Sequence, residues 1–530
     1  MGSPEVTQLR IGFATIYSWR PHVEHAYFLA RLAEKAGNET FFLTCDSDLP
    51  TCYTREMRDR PAWQECLQCR AGGIRSYTRT NITSIGESAS RDAAVAQAEW
   101  AHSSASTLGR FESNADYAGP EFKAIAARLH PAVELSYQAA RAWIRDQRLD
   151  AVCVFNGRMD ATRAIYEAAK SLGVHVISVE RTWFGDGLQL YPEETCLGLG
   201  SVHRLIGRWR DLPLTGQQAA QAASYVARRF LRQNVKEWRA YNTDAKLADW
   251  PVQGGRRRIL LIPSSRNEVW GHPDWESGWS DPLAAYDALI DHLRLEPRDL
   301  LLRCHPNWGE KIGRQGGEYA ERHYADWAAR RGIHVISSID SMSTLGLIEQ
   351  CDAIVVANGS AALEAGALGK QVIGIAPSIY QEAGFRDSIP SPQQLTSLRL
   401  HADLEAAEQA RRCESIPRLT LRFAYAMVHR VPQYTRFVRA DTTTRFKYDM
   451  SADPHRFLDL LRGGELRADD EECADDTRAE EEVLERIKRH DWQGLLDALE
   501  PDSGAYEPVR RRLLFRPIDH IRQRMSVGDR

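Results

Sequence analysis

The sequence predicts two α/β domains, each built on an open, mainly parallel sheet, and three observations lead there. Short apolar runs alternate with amphipathic helical stretches in both halves of the chain. A polar, glycine-bearing stretch at 251–255 separates the halves and reads as a hinge within 250–256. The length, 530 residues, exceeds what one core ordinarily fills.

The first domain is expected to span 1–250. Residues 9–14 predict a strand, 22–37 a helix that stops at Gly37, and 40–43 a second strand, a βαβ start. The pattern then breaks into a cysteine-bearing loop at 45–69 and an alanine-rich helical insertion at 88–147, with Trp100, Phe122 and Trp143 as packing residues. The rhythm returns with a strand at 151–155, a helix at 161–172 and a strand at 174–179. A helical segment at 215–247 leads to the hinge.

The second domain, 257–392, carries strand patterns at 259–262, 300–303, 334–336, 353–356 and 371–375, with helices between them. Right-handed crossovers make such a sheet parallel, and ligands bind at the carboxyl ends of its strands. Helices at 393–463 no longer alternate with strands and are expected to pack back on the domains as a C-terminal extension. The remainder, 464–530, holds an acidic run at 469–472, expected to be solvated, and a basic tail. In that tail Arg510, Arg511, Arg512, Arg516, Arg522 and Arg524 stand among Leu513, Leu514, Phe515 and Ile518. An anionic membrane surface and plain solvent exposure are both open to it.

Composition bounds the function. With 43% hydrophobic and 26% charged residues the chain can bury real cores, which excludes a disordered or fibrous protein. A net charge of −4 gives no field that would make nucleic acid the main partner. Residues 1–10 lack an apolar leader, and no run approaches the roughly 20 apolar residues of a membrane span. The expectation is a cytoplasmic protein, with a peripheral contact of the tail to the inner membrane face left open beside a plain surface helix. Cys153, Cys304 and Cys351 sit in or beside strand-like runs and read as reduced core residues.

Three motifs fall at strand ends of the second domain: Ser264, Ser265 and Glu268 after its first strand; His305, Pro306 and Asn307 after its second; Asn358, Gly359, Ser360 and Glu364 after its fourth. Gly359 would let the backbone approach a phosphate, Ser360 offers a hydroxyl, and the helix that follows presents free N–H groups. His305 could bond a phosphate oxygen or protonate a leaving group, and Glu364 could accept from ribose hydroxyls. In the first domain Glu180 closes a strand and ranks first as general base, with Asp160 and Asp186 behind it. Asn156, Arg158 and Arg181 are candidate sugar or acceptor ligands, and His25, on the first helix, is a further candidate there. Each also has a bland reading as a cap, a loop residue or a structural charge.

Cys45, Cys52, Cys66 and Cys69 include one Cys-x-x-Cys, so a structural zinc site and free or disulfide-paired loop cysteines are both open. The strand-end loops are read as lacking an Asp-x-Asp pair, and no catalytic metal or other cofactor is expected to be required.

Taken in order, Ser-Ser-x-x-Glu, His-Pro-Asn, and Asn-Gly-Ser with Glu364-Ala365 and Gly369-Lys370 resemble the bacterial capsule and lipopolysaccharide glycosyltransferases. Kdo transferases are among these, and bacterial sialyltransferases are more distantly similar. The resemblance extends through Phe155-Asn156-Gly157-Arg158, Glu180-Arg181 and the loop from Leu43 to Cys45, covering most of 10–390. Thr182 stands where such proteins carry glycine. The resemblance implies a GT-B fold, with the nucleotide on the C-terminal domain and His305 and Ser360 at the donor phosphate. It also implies an acceptor, together with the catalytic carboxylate, on the N-terminal domain. The expected activity is sugar transfer from CMP-Kdo or an NDP-sugar to a surface polysaccharide or lipopolysaccharide. A nucleotide-sugar epimerase of the same fold and a non-catalytic carbohydrate-assembly protein are the alternatives.

Overall fold

The first sheet is built from β1 (Arg10–Ala14), β2 (Glu39–Thr44), β3 (Ile82–Ser84), β4 (Ala151–Phe155), β5 (His175–Arg181) and β6 (Leu188–Pro192). The structure is a computed structural model and describes residues 8–58, 60–88, 94–237, 245–312, 315–499 and 504–517. The strand order is β3-β2-β1-β4-β5-β6, parallel except for the β5–β6 pair. The central strands are continuous apolar runs because helices cover both faces. On β1, a Cβ at Gly12 would stand 2.4 Å from Trp143, so glycine there admits the indole of α4, introduced below.

The second sheet comprises β7 (Ile259–Ile262), β8 (Leu300–Arg303), β9 (His334–Ile336), β10 (Ala353–Val356), β11 (Gln371–Gly374) and β12 (Arg386–Ser388). Its order is β9-β8-β7-β10-β11-β12, parallel throughout. Both sheets therefore have the doubly wound order, in which the connection reverses beside the first strand: between β1 and β4, and between β7 and β10.

The helical insertion supplies α3 (His102–Gly109) and α4 (Pro120–Asp146); they follow α1 (His22–Lys35) and α2 (Ala62–Gly72) and precede α5 (Asp160–Ser171). Part of the insertion's expected start, 89–93, lies outside the described residues. From the insertion Ser106 Oγ donates to Asn267 O (3.0 Å), and Arg110 donates to Asn307 O (2.7 Å) and Glu310 O (2.6 Å). Arg158, just past β4, donates to Glu268 O (2.5 Å), just past β7. The carboxyl ends of the two sheets thus face each other, and two Rossmann-like domains across a cleft make the GT-B arrangement.

Several boundaries differ from expectation. The helix expected to reach 247 is α6 (Gly216–Phe230), which stops where Arg232 takes a left-handed φ of 60° and Phe230 stacks on Trp492. Residues 238–244 lie outside the described residues. The acidic run is not simply solvated: Asp469 accepts from the backbone of Tyr434 and Thr435, and Asp470 accepts from Gln218 and Tyr425. The C-terminal extension returns to both domains. Its helix Ala406–Tyr425 packs on α6 and on the helix Ala361–Ala367, while the hairpin Val438–Ala440 and Phe446–Tyr448 covers α1. Arg422 bridges to Glu480, which is fully buried. In the basic tail the described part, 504–517, is mostly irregular and lies on the first domain; Ile518, Arg522 and Arg524 fall outside it. No helix among the described residues is long and apolar enough to cross a membrane.

Candidate active site

At the first sheet's carboxyl edge, β4 runs into a turn in which Asn156 (φ 42°) and Gly157 (φ 65°) both take the left-handed conformation. A Cβ on Gly157 would lie 2.5 Å from Ser178 Oγ, so this tight turn needs glycine. The turn carries Arg158 toward the second domain. Beside it, β5 ends on Glu180 and Arg181. Glu180 Oε1 stands 3.4 Å from His22 Nε2, with the two side chains 19% and 12% exposed, so neither is sealed from solvent. Burial pushes the Glu180 carboxyl up to about 7, against the opposing pull of Arg181, Arg158 and the Asn156 amide. Burial, with Arg181 and His25 nearby, holds His22 well below the usual histidine range, so it is neutral at pH 7. Its ring packs on Phe155 at 4.0 Å.

At the second sheet's carboxyl edge, the three motif loops follow the adjacent strands β7, β8 and β10. Ser264 Oγ accepts from Asn358 N (3.3 Å), and Ser265 Oγ accepts from Trp308 Nε1 (3.0 Å) beside the Asn307 amide. His305 Nδ1 accepts from Asn307 N (3.2 Å), which leaves the proton of the neutral ring on Nε2; burial lowers its pKa. A cavity of about 330 Å³ opens at the switch point, lined by Ser264, Ser265, Asn358, Pro377, Trp270 and Trp279 among others. That volume is at the lower end of the roughly 300–1,000 Å³ of small-molecule sites.

One wall of the cavity comes from the loop 269–281, which is anchored to both domains. Trp270 stacks on Tyr117 of the first domain (3.9 Å, 2°), His272 Nε2 meets Thr195 Oγ1 (3.3 Å), and Trp279 Nε1 donates to Ile389 O (2.8 Å). Arg158 connects the two edges electrostatically: it favours the Glu180 carboxylate and helps hold His272 below the usual histidine pKa, although burial is the larger cause for both groups. Arg158 is thus within electrostatic reach of Glu180 on one edge and of His272, which lines the crevice, on the other; Glu180 and His305 themselves do not line it.

Other expected residues serve the framework. Asp160 is fully buried and accepts from Tyr17 Oη (2.7 Å) and Tyr53 N (3.1 Å), so it has no path to a substrate. Asp186 ties its loop to Lys236 (3.0 Å), Arg439 (3.4 Å) and Ala440 N (2.8 Å). His25, fully buried, meets Tyr448 Oη at Nδ1 (2.9 Å) and packs edge-on against Phe446, as a core histidine does. Ser360 Oγ and Glu364 Oε1 both accept from Arg229 of α6 (2.8 Å each), and neither residue lines the 330 Å³ cavity. Pro306 opens the turn after His305, and Glu268 is exposed, contributing its carbonyl to Arg158. His22 and His272 were the residues that sequence reasoning did not select. His22 shares its helix start with His25, and His272 lies in a loop without a motif.

Cys45, Cys52, Cys66 and Cys69 line one small cavity of about 30 Å³ under α2, and all four are free. Burial raises Cys45 and Cys52 to about 11. Among the described residues no group of three or more His, Cys, Asp or Glu side chains is arranged to hold a metal ion. An Asp-x-Asp pair does stand at a strand end, contrary to expectation: Asp46 and Asp48 follow β2. Asp46 pairs with Arg75 (2.5 Å) and Asp48 accepts from Gly86 N (2.7 Å).

No family model and no curated protein matches this sequence. Among solved structures it is similar to the β-Kdo 2,4-transferase of Thermosulfurimonas dismutans KpsC, at 15% identity over 57% of this chain and 81% of that one, with a TM-score of 0.32. A putative UDP-N-acetylglucosamine 2-epimerase from Listeria monocytogenes aligns over 86% of this chain and 95% of its own at 13% identity and a TM-score of 0.26. The glycosyltransferase SnogD from Streptomyces nogalater aligns over 79% and 95% at 15% identity and a TM-score of 0.22. At such scores the likenesses decide nothing about chemistry, which has to be judged from the cleft itself.

Proposed function

We propose that the protein is a glycosyltransferase that moves a sugar from a nucleotide-activated donor to a glycan or glycolipid acceptor. The observation that carries this is Arg158, which acts on Glu180, a group with a pKa near 7 in the first domain, and donates to Glu268 O next to Val269 of the switch-point crevice in the second. The crevice suits a nucleotide, since tryptophan faces can cover a base and the Ser264 hydroxyl and strand-end amides can meet phosphate oxygens. Glu180 suits a general base, because a group titrating near the working pH both accepts a proton readily and is present as carboxylate. In the forward step Glu180 takes the proton of an acceptor hydroxyl as that oxygen attacks the sugar carbon. The nucleotide leaves with the bonding electrons; Arg266 and His272, which line the crevice, are candidates to stabilise its phosphate, whereas His305 and Arg158 lie outside that lining and would have to reach in. On this reading the domains divide between 250 and 257, and CMP-Kdo remains one candidate donor.

The test is a thermal-shift screen of the whole protein against CMP, UDP, GDP and dTDP, followed by turnover of the corresponding sugar nucleotides with and without acceptor glycans. A nucleotide that raises Tm, and whose sugar is transferred only when acceptor is present, supports the assignment. Formation of an epimer without acceptor would move the protein to the epimerase class, and binding without turnover to a non-catalytic role.

A further inference from the structure

A surface helix normally turns its apolar side chains inward, yet α2 turns Trp63 and Leu67 outward, at 71% and 63% exposure. Arg70, also exposed, continues the same row at the i, i+4, i+7 spacing of one helix face. The inner side of α2 is occupied by Glu65, Gly72 and the cysteine cavity, which the exposed Arg70 also borders, so the outward Trp63 and Leu67 are not a misplaced core.

A second segment, remote in sequence, docks against the C-terminal end of the same helix. Arg511 donates to Ala71 O (3.2 Å), and Arg512 donates to Ser76 O (2.9 Å) through its backbone and to Arg75 O (2.7 Å) through its guanidinium. This docking leaves Leu513 and Leu514 76% and 75% exposed. Arg79 lies close enough to Arg512 to oppose its charge, and Arg79 and Arg516 are exposed. Arg510 pairs with Glu507 (2.9 Å), whereas Arg70, Arg79 and Arg516 make no ion pair among the described residues. Apolar tips set among unneutralised arginines match an anionic lipid interface, which takes the tips into its acyl boundary and the cations against its headgroups.

We infer that the Trp63–Leu67–Arg70 row and the arginine-flanked Leu513–Leu514 tip form one face that docks on an anionic phospholipid bilayer. The face lies at the carboxyl edge of the first sheet. Cys69 Sγ, on α2, donates to Ile16 O just past β1 (3.8 Å), and Gly72 abuts Ser18. Four residues beyond Ser18 stands His22, the neighbour of Glu180, so a lipid-borne substrate would meet the cleft on this side. Docking itself is independent of the catalytic reading.

Sedimentation of the full chain with phosphatidylcholine vesicles, with or without phosphatidylglycerol, tests it. Binding is expected to the anionic vesicles, weakening as salt is raised. Trp63→Ser with Leu67→Ser, and separately Leu513→Ser with Leu514→Ser, should each lower the bound fraction by about tenfold at unchanged Tm, because all four side chains are already in solvent. Equal binding to neutral and anionic vesicles, no binding to either, or variants that bind like the parent would overturn the inference. So would a dimer in lipid-free ultracentrifugation that the same variants abolish, since the face would then belong to a second copy.

Discussion

At the end of β5 Glu180 is not fully tied down: it meets His22 at 3.4 Å and both remain partly open, whereas Asn156 and Arg158 after β4 are bonded to their own turn and to Ser103 and Glu268 O. Around β7, β8 and β10, in a sheet of the same strand order, the hydroxyls and amides chiefly bond one another. Ser265 is fastened to Trp308, Ser264 to the Asn358 backbone, and Ser360 and Glu364 to Arg229. One edge keeps a reactive group under electrostatic tension, and the other holds the walls of a crevice fixed. A doubly wound sheet supplies a crevice wherever its winding reverses, but chemistry requires a group that the framework has left uncommitted.

The sharpest way to break this contrast is Glu180→Gln. Loss of a general base should lower kcat by about 10²–10⁴-fold, with Tm unchanged or raised because a buried charge has been removed. In the parent the carboxylate is the active form, so the rate should climb about tenfold per pH unit below about 7 and level off above it. A flat pH–rate profile, or a variant that loses stability and activity together, would make Glu180 one more framework residue.

The converse change is Arg229→Met. Arg229 is 5% exposed and bridges Glu237 (2.6 Å) and Glu364 (2.8 Å), so its removal leaves two buried carboxylates without their cation. The expected loss is about 3–5 kcal/mol of stability, read from chemical denaturation. Were Glu364 a donor ligand instead, Glu364→Gln would raise the donor KM and leave Tm alone; the framework reading expects Tm to fall.

How far the sequence could be read follows the range of the interactions involved. Strands β7, β8 and β10 have the bounds their apolar runs predict, because a buried parallel strand is defined locally by burial on both faces; the edge strand β9 also has its predicted bounds, although only Ile336 of it is buried. The edge strands β3, β6 and β12 carry Ile-Thr-Ser, Leu-Gln-Leu-Tyr-Pro and Arg-Asp-Ser, short or polar runs whose pairing depends on a neighbour already in place. Glu180 is conspicuous in the sequence as a charged residue ending an apolar run, and the structure places it at the end of β5. The Arg229 bonds of Ser360 and Glu364 are not visible in the sequence, because that partner lies 131 and 135 positions away. His25, the candidate on the first helix, lies in the core for a similarly long-range reason: Tyr448, which meets it, is 423 residues downstream.

The boundary between the two edges carries its own titratable group. Glu112 is fully buried and accepts from Arg266 N (3.0 Å), Asn267 Nδ2 (2.9 Å) and Tyr324 Oη (3.3 Å), all in the second domain. Burial, the largest cause, raises its carboxyl to about 8 in spite of those bonds. A folded pKa above the unfolded value of roughly 4.5 means that the folded state holds the proton more tightly. The associated stability is complete below about 4.5 and is lost as pH rises through about 8. Melting curves across that window should show a decline that Glu112→Gln reduces; an unchanged slope would assign the decline to other groups.

The smallest effect concerns the cysteine cavity, which lies on the same edge as Glu180 yet belongs with the framework. Cys45 and Cys52 are raised to about 11 chiefly by burial, so at pH 8 only about one thiol in a thousand is ionised at either position. Iodoacetamide should therefore label the exposed Cys413 and Cys473 first. Cys45 and Cys52 should lag, with rates rising about tenfold per pH unit, since only the thiolate reacts. Fast labelling at neutral pH would make the cavity a reactive site. Slow labelling that a chelator speeds would mean that a soft metal holds the four sulfurs as thiolates, a ligation for which the side chains would have to draw together from where they now stand. Slow labelling unaffected by chelator is the expected result, because what protects these thiols is the packing beneath α2, and chelation does not alter that packing.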